Sequence, residues 1–229
     1  MKRKIIALFL ISLIFTGCKK SDVDEEAVIS QMDTSNNDDI SDMSHYRDDY
    51  GYIVVPNYYV QDYSDIKISD TNTIGTAGEL ITCLAMINSY WNNDESSPDI
   101  FYEKYQDKFD DNGFCNIESM SDLIMNNNNA TWSKEEFNPD KVLDYISKYQ
   151  ATVLVEIPHS SMFGKNTSYL IITGISGEYV AVRDPNLANI QNYAIKDMKT
   201  SFDEYLYHFS DILVSVGEDS TMYVYRWGD

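Results

Sequence analysis

Side chains able to do chemistry are few in this chain, which has three cysteines and three histidines among 229 residues. Cys83 lies four residues after Glu79 in GELITCLAMINSYW (78–91), His159 follows the apolar run TVLVEIP, and Asp184 lies in VAVRDPN (180–186). A thiol, an imidazole and a carboxylate are the groups that covalent acyl transfer needs: the base activates the thiol and the acid orients the base. Cys83 with His159 and Asp184 is therefore one reading, a hydrolytic set. Against it, Cys83 shares helical spacing with Leu80, Leu84 and Ile87, which marks a core thiol, and His159 reads more plainly as a loop histidine facing water. A second reading pairs the Glu79 and Asp184 carboxylates as an acidic recognition or cation site. The blandest makes Glu79 an acid at a helix start, where the dipole favours it by about 0.3–1 kcal/mol.

Other candidates carry less. His45 and His208 read as structural, His208 following an aromatic stripe taken as helical. The acidic run KFDDNGFCNIES lacks the EF-hand ligands at its first position (Lys108) and last (Ser119). No C-x-x-C or Cys/His cluster exists, so neither a structural zinc site nor another cofactor is expected, and whether Cys83 and Cys115 form a disulfide is left open.

The N-terminus has a basic cap, MKRK, an apolar run of about 11 residues and a small-residue site, the pattern of a signal peptide at 1–17. The run is too short for a membrane span, which needs about 20 residues. Phe15-Thr16-Gly17-Cys18 is similar to a bacterial lipobox, which implies lipidation of Cys18 and a membrane-anchored protein facing outside the cytoplasm. Loss of 1–17 removes Lys2, Arg3 and Lys4 and no acid, moving the formal charge from −20 to −23. That balance excludes nucleic acid as a partner, since phosphate contacts need clustered cations.

Residues 18–50 form the lipidated cysteine and an acidic tether, with ten acids and one Arg between positions 21 and 50. Such a tether spans about 30 Å as a random coil. Residues 51–229 are expected to fold as one domain. The patterns predict an extended piece near 52–60 and helices over 78–91, 98–108, 119–125 and 138–149, the last with Asn138 as N-cap and Pro139 at its first position. They then predict strands over 152–158, 169–175, 179–184, 211–217 and 222–227, with a tight turn at Gly177-Glu178. IMNNNNATW reads as a loop. Helices followed by an antiparallel sheet make an α+β fold.

Three segments in this order resemble the papain-like cysteine peptidases, in particular the branch related to double-glycine bacteriocin-leader peptidases. Gly78, Ile81, Thr82, Leu84, Ala85 and Met86 fit its helix motif, TSYLIITGI fits its hairpin motif from Tyr169 onward, and VAVRDPN fits a third stretch. The resemblance implies a papain-like fold with N-terminal helices packed on a C-terminal antiparallel sheet. It places the catalytic cysteine at Glu79, the histidine at Ser168 and the orienting acid at Asp184. Only the acid is retained. The glutamine that supplies an oxyanion donor has no match just before Glu79, and Gln61 lies too far upstream. A thiolate at a helix N-terminus is what such chemistry runs on, and Glu79 cannot replace it. The resemblance thus implies a lipid-anchored surface protein that has lost catalysis and binds a peptide or envelope protein. Its 18 tyrosines would suit an aromatic groove, although Tyr also populates half-buried strands. The alternative is an active peptidase using Cys83.

Overall fold

A computed structural model describes residues 55–92, 94–126, 130–158, 163, 166–176, 178–196, 205–216 and 219–227. The expected signal peptide, Cys18, the acidic tether with His45, and His159 lie outside the described residues. No described helix is long and apolar enough to cross a membrane.

A 3-10 turn (Val60–Tyr63) leads to α1 (Ile74–Ala77) and α2 (Glu79–Asn92), then to α3 (Pro98–Tyr105), a second 3-10 turn (Gln106–Lys108) and α4 (Ile117–Met125). Strand β1 (Ala130–Glu136) and α5 (Pro139–Tyr149) precede β2 (Thr152–Ile157), β3 (Ser168–Ser176) and β4 (Tyr179–Arg183). Then come α6 (Leu187–Tyr193), β5 (Tyr205–His208), α7 (Phe209–Ser215) and β6 (Thr221–Trp227). The strands form one antiparallel sheet in the order β1-β6-β2-β3-β4-β5. The fold is α+β, as the patterns imply.

Strand alternation feeds two cores. Leu154, Tyr169, Ile171, Tyr223 and Tyr225 face α2, α3 and α4. Val153, Val155, Leu170, Ile172 and Val224 face the other way, against Val142 and Ile146 of α5 and Ile212 of α7. With both faces covered, β2 reads as a nearly continuous apolar run instead of an alternating one.

Helix α2 is buried on every side: Leu80 to Trp91 are all inaccessible, so the stripe at Leu80, Cys83, Leu84 and Ile87 understates it. Its far end is anchored where Trp91 Nε1 donates to Thr152 Oγ1 at 2.9 Å. Its near end is set by Gly78, whose N–H donates to Ile74 O (2.8 Å) while its carbonyl accepts from the Thr82 N–H (2.9 Å). A Cβ at position 78 would lie 2.5 Å from Ile74 O and 2.6 Å from Ile74 Cα. Only glycine lets the two helices meet this closely, and the meeting puts Glu79 at the first position of α2.

Helix α5 forms as predicted, with Asn138 Oδ1 accepting from the Lys141 N–H (3.1 Å) ahead of Pro139. Ser176 pairs with Tyr179; the expected tight turn falls between them, and its Gly177 lies outside the described residues. Elsewhere the structure departs from the patterns. Residues 209–215 are helical, not extended: Ile212 and Val216, four apart, both turn into the core, and a short apolar run does not separate helix from strand. The aromatic stripe before His208 is strand β5, paired with β4. The Asn-rich loop gives way to strand β1, which pairs with β6 and forms one edge of the sheet, its Ala130 and Trp132 packed against the first core. Of the extended piece near 52–60, residues 55–59 are irregular and Val60 opens a 3-10 turn. Helix α6 has no counterpart among the predicted elements.

Candidate functional site

Four segments converge at the start of α2. Glu79 comes from the α1–α2 junction, Ser168 and Tyr169 from the start of β3, Asp184 and Asn186 from the turn after β4, and Gln61 from the first 3-10 turn. The fold therefore brings Glu79, Ser168 and Asp184 to one place. It also brings Gln61 there, correcting the expectation that this residue is too far upstream. The backbone bond from the Val60 N–H to Pro185 O (2.9 Å) clips the two loops together.

Asn186 is the hub. Its Nδ2 donates to Glu79 Oε1 (3.0 Å) and its backbone N–H to Asp184 Oδ1 (2.8 Å). Its Oδ1 accepts from the Ala188 N–H (3.0 Å), capping α6, and from Gln61 Nε2 (3.0 Å). Gln61 Oε1 in turn accepts from the Leu187 N–H at 3.2 Å. The second Glu79 oxygen accepts from the Tyr169 N–H at 3.3 Å. Ser168 is buried and its hydroxyl donates to Phe163 O (3.1 Å).

Asp184 is 2% exposed. Besides Asn186 it accepts from Tyr207 Oη (3.3 Å) and Asn189 Nδ2 (3.4 Å). Burial pushes its carboxyl up to about 8; the Asn186 N–H pulls the other way, and the Glu79 charge raises it further. Burial raises Glu79 as well, opposed by its donors on Asn186 and Tyr169 and by Ser168.

Cys83 is fully buried one turn along α2 and is a free thiol, as is Cys115, so the two are not bridged. Burial pushes the Cys83 thiol well above its ordinary value, and the Glu79 and Asp184 charges push it further. That is the reverse of what a reactive thiolate requires, a positive and partly exposed setting. His208 is exposed and stacks on Tyr179, with ring centroids 5.6 Å apart. It pairs with the first residue of β4, whereas Asp184 follows the last. At about 3.3 Å per strand residue the two are about 17 Å apart, so His208 is no base for this cluster.

Among the described residues no group of three or more His, Cys, Asp or Glu side chains is arranged to hold a metal ion. The Glu79 and Asp184 oxygens are instead turned to N–H and O–H donors. An open surface pocket of about 550 Å³, lined by Lys67, Ile68, Ser69, Asp70, Thr71 and Asp111, includes none of the cluster residues. Sequence reading missed Asn186 and Tyr207 and set Gln61 aside. Asn186 had one signal, an N-cap residue directly after Asp184-Pro185; the other two are joined to the site only by tertiary folding. No protein-family model matches this chain, and no similar curated protein was found.

Proposed function

We propose that this chain is a lipid-anchored surface protein whose folded body is a papain-like peptidase domain without catalysis, serving to bind a peptide or envelope protein. The reading of residues 1–17 as a signal peptide and of Cys18 as the lipidated residue supplies the anchor. The order of the three motif segments, and the convergence of Glu79, Ser168 and Asp184, support the peptidase ancestry.

One observation carries the loss of catalysis. The position at the tip of α2 holds a carboxylate, and that carboxylate is tied down by the Asn186 amide and the Tyr169 N–H. A tethered carboxylate among N–H donors is a structural lock, with neither a sulfur to attack a carbonyl nor a described imidazole to accept its proton. The relocated set built on Cys83 suffers from the buried, anionic setting of that thiol.

Two measurements test this reading. A thiol-reactive peptidase probe is expected to leave Cys83 unmodified in the folded chain and to label it only after denaturation. Rapid labelling of the native protein, abolished by His159→Ala, would instead establish an active peptidase. In cells, an alkynyl palmitate analogue is expected to enter the protein and to be lost completely in Cys18→Ala; equal incorporation in both would remove the anchor at Cys18.

A further inference from the structure

Asn186 holds two carboxyl groups at once. Its side-chain amide donates to Glu79 Oε1 (3.0 Å) and its backbone N–H to Asp184 Oδ1 (2.8 Å). Asp184 is buried, and neighbouring acids shielded from water do not both ionise without cost. The groups that face it are the Glu79 carboxyl and Cys83 thiol of α2 and the Tyr207 phenol of β5, with Tyr59 and Tyr205 acting on that phenol. From α6 it meets the neutral Asn189. Arg183, one residue earlier, is buried on the side of β4 that its partner Ile171 shares with α2. None of the described ion pairs involves Glu79 or Asp184. In the closed arrangement Asp184 therefore keeps its proton up to about pH 8, through burial first and the Glu79 charge next.

The segment that carries Asp184 is held by little else. Within α6 only Ile190 is buried. The remaining ties are polar: Gln61 bonds Asn186 Oδ1 and the Leu187 N–H, and the Val60 N–H bonds Pro185 O. A unit with so little apolar burial opens at far lower cost than a six-stranded sheet packed on both faces. Once it opens, Asp184 reaches water and ionises as an ordinary carboxyl. Opening then releases a proton, and a rising pH draws it on.

We propose that the Glu79–Asn186–Asp184 cluster is a proton-operated latch, which frees segment 184–193 from the tip of α2 as the pH rises while the sheet stays folded. The direction follows from linkage. Below about pH 4 the closed and open forms both hold the proton, and the latch is tightest. Between about 4 and 8 only the closed form holds it, so opening grows with pH; above about 8 neither does, and the effect levels off. The latch is independent of what the chain binds.

The test is hydrogen exchange of the detergent-solubilised full chain from pH 5 to pH 9, corrected for the intrinsic rate at each pH. The reporters are the Asn186, Ala188 and Ala194 amides, which bond Asp184 Oδ1, Asn186 Oδ1 and Ile190 O. Val153 of β2 and Val224 of β6 serve as references for the sheet. The reporters are expected to exchange far faster than the references, with an opening constant that rises about fiftyfold between pH 6 and pH 8. In Asp184→Asn, whose amide does not ionise, that rise should vanish. In Glu79→Gln, which removes the neighbouring charge and keeps an acceptor oxygen for Asn186, the levelling should move to lower pH. Reporters as slow as the references would mean that the segment opens only with the sheet and would overturn the latch. So would a flat profile in the native chain, or a rise that persists in Asp184→Asn.

Discussion

Asp184→Asn is expected to stabilise the folded chain at pH 8 by about 2–4 kcal/mol and to flatten its stability between about pH 4 and pH 8. The carboxyl is buried, and burial moves it from 3.8 to about 8, with the nearby Glu79 charge adding to the rise. In the unfolded chain it ionises near 3.8. Below that pH both states hold the proton, and the site costs nothing. As the pH climbs toward 8 the unfolded chain releases its proton while the folded chain keeps it, so stability falls through the whole window. Above about 8 the loss is complete. At about 1.4 kcal/mol per pH unit the ceiling is about 6 kcal/mol, and local relaxation brings the expected value below that. Glu79, raised in the same direction, deepens the fall. Asparagine never ionises, keeps an oxygen for the Asn186 N–H and turns an amide toward Tyr207. Guanidinium titrations of both proteins at several pH values check this. A native protein that gains stability from pH 4 to 8, or a variant weaker than it at pH 8, would contradict it.

Asn186→Ala is expected to cost about 2–4 kcal/mol, measured by the same denaturant titration at neutral pH. Three side-chain bonds disappear together: the donor to Glu79, the acceptor for Gln61 and the cap on α6. Loss of an N-cap costs about 1 kcal/mol, and a carboxylate left short of a hydrogen bond costs about 1.5–3 kcal/mol. The same change in a Glu79→Ala background should cost much less, because the orphaned charge is then gone. Equal costs in both backgrounds would show that Asn186 does not work through Glu79.

How far these features are readable from sequence follows from where their causes lie. Helix α2, the Asn138–Pro139 start of α5, and strands β2, β3, β4 and β6 are specified locally, by apolar runs, caps and a tight turn. Strand β1 is not, because an edge strand with Lys134, Glu135 and Glu136 pays little attention to alternation. Strand β5 and helix α7 swap their expected states because YLYH and DILVS are short, and the slots that receive them, beside β4 and over the second core, exist only in the folded sheet. At the site, the resemblance to peptidase motifs singles out Glu79, Ser168 and Asp184. It does not place Gln61, which lies 18 positions before Glu79 and reaches the site only through folding, by the Val60–Pro185 clip and its own side-chain bonds to Asn186 and Leu187. Asn186 escapes for a similar reason: its bond to Glu79 spans 107 positions.

The close approach at Gly78 separates the location of residue 79 from its identity. The Gly78 bonds to the backbone of Ile74 and Thr82 set where that residue leaves the chain, and its carboxylate then finds Asn186 and Tyr169. Position 79 is thus a backbone-built socket at the tip of a rigid, buried helix, and a head group grafted there keeps the scaffold only if it still accepts from the Asn186 amide and the Tyr169 N–H.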